Sequence, residues 1–201
     1  ENGESVECRS SLEDEDPDSI AFRFKGFFQS GSLSYNWGKL YRRAFLTEHE
    51  LWVPQYTYAE DKAHNFRCCA CDPKYAFVPQ SIVLYRENLQ SLTFRPKKRL
   101  MKNWIQIAAD FETFLKEHRI AEDYGDIMLF HLVIGAMYLA KEEMTYRGKK
   151  IRVVKSFLKR YGEDPFVRKT LTFGNCLRYA TKIKSIFWKL LTFTLVLFFR
   201  L

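Results

Sequence analysis

The sequence predicts an α/β fold in which a few short strands precede a helical, basic C-terminal region. Three observations carry that expectation. Aromatic and polar residues alternate over Ser34 to Tyr41, the pattern of a half-buried strand. Leu100, Trp104, Ile107, Phe111 and Leu115 recur at intervals of three or four, the pattern of an amphipathic helix. Of the 201 residues, 47% are hydrophobic and 16% aromatic, which excludes disorder over most of the length and suffices for one core.

The elements follow in order. Glu1 to Ser19 reads as an acidic loop. A short helix is expected from about Ser19 to Gln29, capped by Asp16 or Asp18 with Pro17 near its start and broken by Gly31 and Ser32. The strand over Ser34 to Tyr41 leads into a short helix from Arg42 to His49. Helical spacing resumes from Glu60 to Ala70, and Tyr75 to Pro79 and Ser81 to Arg86 read as short strands. A long helix then covers Leu100 to Ile120. Asp126 to Met144 is apolar on all sides through Ala140, so it reads as a buried helix; it is too short and too interrupted by His131 and Gly135 for a membrane span. Lys149 to Tyr161 places Ile151, Val154 and Leu158 on one face and Arg152, Lys155 and Lys159 on the other, with Gly162 as the stopping residue.

Charge is unevenly spread. Residues 1–20 hold eight acids against Arg9, whereas Thr145 to Leu201 holds 14 Lys and Arg against Glu163 and Asp164. A basic end points to a polyanion. From Cys176 onward the basic residues Arg178, Lys182, Lys184 and Lys189 are interleaved with Ile183, Ile186, Phe187, Trp188, Leu190 and Leu191, and no nucleic-acid motif is recognisable. That pattern favours an anionic membrane surface over nucleic acid, at about 1 kcal/mol per Lys or Arg near the lipid. The apolar run from Leu190 to Phe199 falls short of the roughly 20 residues a span needs. Residues 176–201 are therefore expected to attach peripherally, with packing on the domain or a truncated span as alternatives. Five cysteines, an odd number, and an acidic N-terminus without a signal peptide point to the reducing cytoplasm, at the inner face of the plasma membrane.

The stretch Trp37-Gly-Lys-Leu-Tyr-Arg-Arg-Ala-Phe-Leu46 is followed by Ala59-Glu-Asp61 and by Leu84-Tyr-Arg86 with Ser91 and Thr93. In this order and spacing, Tyr35 to Phe94 resembles the C-terminal portion of bacterial family 2 glycosyltransferases of the GT-A fold. The resemblance implies that residues 1–99 form the acceptor-side part of a GT-A catalytic domain, 100–175 a helical extension and 176–201 a membrane-associating helix. It implies a hexosyltransferase that moves a sugar from a nucleotide-diphosphate donor to a glycan or lipid-linked acceptor in capsule, lipopolysaccharide or exopolysaccharide synthesis. Asp61 is then the base that removes the acceptor hydroxyl proton, with Glu60 beside it; a helix N-terminus keeps such an acid ionised. The alternative is that both acids simply cap their helix.

Other assignments stay open at the level of sequence. Lys39, Arg42, Arg43 and Arg86 are candidates for the leaving diphosphate or an acceptor phosphate, against solvated or ion-paired positions. Trp37 is a candidate for stacking on a sugar ring, against core packing. His64, Cys68 and Cys71 share a helix face, but no second pair of ligands accompanies them, so packing is preferred over zinc. His131 reads as a satisfied core residue. The complete family fold uses Mg²⁺ or Mn²⁺ held by an Asp-x-Asp motif; Asp14-Glu-Asp16 reads as loop charge instead. The chain is accordingly expected to be a fragment, inactive without a nucleotide-sugar-binding half. A non-catalytic basic module for lipid or nucleic acid is the competing reading.

Overall fold

The structure, a computed structural model, describes residues 12–78, 80, 83, 100–120, 123–148 and 150–200. Nine α-helices occur among them: α1 Ile20–Phe24, α2 Arg43–Glu48, α3 Glu60–Ala70, α4 Leu100–Glu117, α5 Gly125–Arg147, α6 Ile151–Glu163, α7 Pro165–Thr170, α8 Phe173–Tyr179 and α9 Ile186–Arg200. A π-helical turn, Lys25–Gln29, extends α1, and a 3₁₀ turn, Ala180–Lys182, follows α8.

The expected α/β fold is overturned. The described residues are 67% helical and contain no strand or sheet. A strand needs a neighbour to pair its N–H and C=O groups, and the described residues supply none. Between Ser34 and Tyr41 the chain turns instead: Ser34 N donates to Gly31 O, and Gly31 and Gly38 take φ of 72° and 70°. Tyr75 and Phe77 keep the alternation of a strand, their rings stacked at 6.3 Å, but the backbone there is extended without pairing. Most of the strand expected over Ser81 to Arg86 lies outside the described residues.

Helix α5 is the axis of the molecule. Ile127, Leu129, Phe130, Leu132, Val133 and Ala136 are wholly buried on it, because α1, α4, α6, α7, α8 and α9 all pack against it. A helix apolar all round is stable only when surrounded in this way. Each large side chain so buried contributes about 1.5–3 kcal/mol. A second apolar cluster joins Phe22, Phe27 and Phe66 to Ile107, Phe111 and Ile127, so α3 and the α1 segment share a core with α4 and α5.

Trp104 and His131 lock α4 to α5. Their rings stack at 4.5 Å and 4°, Trp104 Nε1 donates to His131 O at 2.8 Å, and His131 Nε2 lies 3.0 Å from Trp104 O. Burial holds His131 well below its ordinary value, so it stays neutral; it is the core residue its apolar surroundings implied but only half satisfied, with Nε2 against Trp104 O and the buried Nδ1 without a partner. Gly135 makes room for the indole: a Cβ there would lie 2.3 Å from Trp104 Nε1. Gly135→Val is expected to lower stability by about 1–3 kcal/mol through overpacking. Chemical denaturation followed by circular dichroism measures this; an unchanged midpoint would show that the indole yields.

Three local expectations are corrected. Ser19, not Asp16 or Asp18, caps α1, its Oγ accepting from Phe22 N at 3.0 Å. Gly162 does not stop α6 but lies inside it, where a Cβ would meet Phe199 of α9 at 2.5 Å. The glycine serves close helix approach rather than termination. The single amphipathic helix expected from residue 176 is divided, by the 3₁₀ turn and Ile183 to Ser185, into α8 and α9.

Candidate active site

Asp61 lies in the first turn of α3, where the sequence placed it. The N-cap residue is Ala59, with φ 62° and ψ 32° in the left-handed region, and no side chain caps the helix. A non-glycine residue holds that conformation only when its surroundings over-determine it. Those surroundings are visible. Tyr58 O accepts from Asn103 Nδ2 at 2.8 Å, and the Tyr58 ring stacks near Trp104 and Tyr138, each at 6.4 Å. Tyr56 OH donates to Asp110 Oδ2 at 2.5 Å. Helices α4 and α5 thus hold the loop that aims Glu60 and Asp61.

The two acids divide. Glu60 is exposed, whereas Asp61 is half-buried. Asp61 Oδ1 accepts from Lys62 N at 2.7 Å. Burial raises its carboxyl above the ordinary carboxylate value, with the charges of Lys62 and Lys39 opposing. The helix N-terminus therefore does not govern the titration; desolvation does. A carboxylate shifted upward in this way is a stronger proton acceptor.

Two lysines face this acid. Burial pushes Lys39 down to about 8, against the pull of Asp61, and its ammonium donates to Tyr35 O. Lys62, also pushed down to about 8 by burial, sits over the Phe28 and Trp104 rings at 5.2 and 5.4 Å. Among the described residues no carboxylate makes a salt bridge with either lysine. Such partly desolvated cations are suited to a phosphate or pyrophosphate group.

Asn65, one turn along α3, ties the preceding loop to the site. Its Nδ2 donates to Asn36 Oδ1 at 2.8 Å and to Asp61 O at 2.8 Å, and its Oδ1 accepts from Tyr41 OH at 2.8 Å. The loop carrying Trp37 and Lys39 is thereby pinned beside Asp61. Trp37 is 49% exposed and stacks on Tyr35 at 4.9 Å, so its indole is at the surface rather than in the core.

The structure brings Asp61, Lys39 and the Trp37 loop together. Arg42 and Arg43 are exposed at the start of α2, and Arg86 lies outside the described residues. Sequence reasoning passed over Lys62, Asn65 and Tyr41. The positions of Asp61 and Asn65 at i and i+4 on one helix were the available signal. Farther along α3, Arg67 borders an open cleft with Asp110, Glu117 and His118 that contains none of the sequence-predicted residues.

His64 and Cys68 pack together, Nε2 to Sγ 3.5 Å, in a buried position. Burial pushes the Cys68 and Cys69 thiols up to about 12 and Cys71 to about 11, leaving them protonated at neutral pH. Among the described residues no three His, Cys, Asp or Glu side chains are grouped to hold a metal ion.

Over 129 residues the chain is 27% identical to EpsH of Bacillus subtilis (strain 168), a protein provisionally named a glycosyltransferase. The match takes in 63% of this chain and 38% of that relative, so the chain spans well under half of its length. No family model matches the sequence, and no solved structure does so significantly. The likeness to EpsH supports a general glycosyltransferase relationship for the chain.

Proposed function

We propose that the chain is the acceptor-side portion of an inverting family 2 glycosyltransferase. It serves transfer of a hexosyl unit from a nucleotide-diphosphate donor to a glycan or lipid-linked acceptor in surface-polysaccharide synthesis. The observation that carries this reading is Asp61: half-buried, raised in basicity, held at the start of α3 and facing two partly desolvated lysines.

In the reaction the acceptor oxygen attacks the anomeric carbon, and its proton passes to an Asp61 carboxylate oxygen as the new C–O bond forms. The bond from the anomeric carbon to the nucleotide diphosphate breaks, and the diphosphate leaves with the electron pair. Lys39 and Lys62 stabilise the negative charge gathered there or on an acceptor phosphate, and the exposed Trp37 face offers a platform for a sugar ring. The donor's nucleotide is assigned to the part of the protein corresponding to the remainder of the longer relative. The described residues offer no donor set for the divalent cation of the complete family, so no step passes through one.

The test is sugar transfer by the intact protein carrying Asp61→Asn, with circular dichroism to establish that the fold is kept. Undiminished transfer removes the base, and this reading with it.

A further inference from the structure

Helix α9 turns two faces to two different environments. Thr192, Leu195 and Val196 are buried, and Trp188 and Phe199 pack against the core. On the opposite side, Ile186, Phe187, Leu190, Leu197 and Phe198 are exposed, Ile186 by 69% and Leu190 by 62%. At 100° per residue these five form one continuous stripe. Thr194 is the one polar member within it, and its hydroxyl donates to Leu190 O at 2.8 Å, which satisfies it inside the helix without water. The stripe thus presents no unsatisfied side-chain polar group from end to end.

The apolar surface continues beyond α9. Phe193, on the flank of the stripe, meets Phe173 edge-on at 5.6 Å, and Phe173 and Leu177 are both exposed on α8. A contiguous apolar patch of this kind marks an interaction surface. Its charge selects the partner. No acidic residue follows Asp164 in the sequence. Lys182 is exposed in the turn leading into α9, and Lys189 lies at the edge of the stripe; among the described residues neither makes a salt bridge. Arg178 and Lys184, by contrast, are paired with Asp123 and Glu15. Among the described residues no helix is long and apolar enough to cross a membrane.

We propose that the outward stripe of α9, with the adjoining apolar edge of α8, docks in the interface of an anionic phospholipid bilayer. The helix lies parallel to the surface, the stripe entering the acyl boundary and Lys182 and Lys189 meeting phosphate headgroups. This holds independently of any catalytic role for Asp61.

The test is sedimentation of the full chain with vesicles of equal parts phosphatidylcholine and phosphatidylglycerol, compared with phosphatidylcholine alone. The expected result is binding to the anionic vesicles that weakens with added salt and falls by about tenfold or more in the variant Phe187→Gln/Leu190→Gln/Leu197→Gln. Lys182→Gln/Lys189→Gln is expected to reduce anionic binding without altering the weak binding to phosphatidylcholine. The substituted positions are exposed, and circular dichroism confirms that each variant is folded. Equal sedimentation of the triple variant and the parent would overturn the proposal. So would sedimentation equilibrium showing a dimer that the triple variant dissociates, since the stripe would then be covered by a second copy.

Discussion

Asp61→Asn is expected to slow sugar transfer by about 10²–10⁴ while leaving KM for donor and acceptor nearly unchanged. The substitution is close to isosteric, and the Asn carbonyl can still accept from Lys62 N, as Asp61 Oδ1 does at 2.7 Å. The geometry at the start of α3 therefore survives while the proton acceptor is lost. A pH–rate profile separates this from simple damage. In the parent, the acidic limb reports Asp61 and lies above the ordinary carboxylate range, because burial raises it. As pH rises through about 8, Lys39 and Lys62 lose their protons, and with them the positive charge that stabilises the anionic leaving group, so transfer declines again. The Asn variant should lose the acidic limb and keep the alkaline one. A residual rate within about twofold of the parent would remove the base assignment. A profile with its acidic limb unmoved would do the same.

Asp126→Asn is expected to cost about 3–5 kcal/mol of stability, more than any surface change in this protein. Asp126 opens α5 with no exposure, and Arg23 of α1 grips both its oxygens, Nε to Oδ2 at 2.9 Å and Nη2 to Oδ1 at 3.0 Å. Arg23 Nη1 also donates to Asp18 O at 2.8 Å, and the guanidinium lies 5.0 Å from the Tyr124 ring centroid. The pair fastens the N-terminal α1 segment to the central helix across more than 100 residues of sequence. Burial pushes the Asp126 carboxyl upward and the guanidinium opposes it, while the same contact raises Arg23. With Asn in place the guanidinium has no counter-charge in a dry site, and the cost is that stranded charge. Urea denaturation measures the loss. The double variant Arg23→Met/Asp126→Leu should recover most of it, because it removes both charges at once. If the single variant costs less than about 1 kcal/mol, the pair is not the fastening between α1 and α5.

Helices were legible where their signal was local. The Glu60 to Ala70 spacing predicted α3 with both boundaries intact, and the intervals in Leu100 to Ile120 and the all-round apolarity of Asp126 to Ala140 predicted α4 and α5. Strands were misread for the converse reason. Alternation over Ser34 to Tyr41 describes which way side chains alternate in an extended chain, but a sheet exists only through partners elsewhere. Here the segment is shaped by Asn65, 29 residues away from Asn36. Gly162 was misread in the same way, since nothing local reveals that Phe199 needs its missing side chain.

The catalytic candidate divides along the same line. The order of aromatic, basic and acidic residues from Trp37 to Asp61 was sufficient to single out Asp61 and to place it at a helix start. That Asp61 rather than Glu60 is half-buried was decided by tertiary packing, which also brought Lys62 against Trp104 of α4 and Asn65 against Asn36 and Tyr41 of the preceding loop. Helix α4 closes over one side of the loop through Asn103, Trp104 and Asp110, and α5 adds Tyr138 against Tyr58. In the C-terminal segment, composition alone determined the excess of positive charge and the absence of acids after Asp164. Which apolar residues there enter the core and which remain outside followed from packing. One side of α9 is covered by α5, α6 and α8, and the opposite stripe has no helix against it among the described residues. Residue types and short-range spacing determine what a segment is able to do; burial, pairing and proton affinity depend on neighbours distant in sequence, and these arise only when the chain has folded.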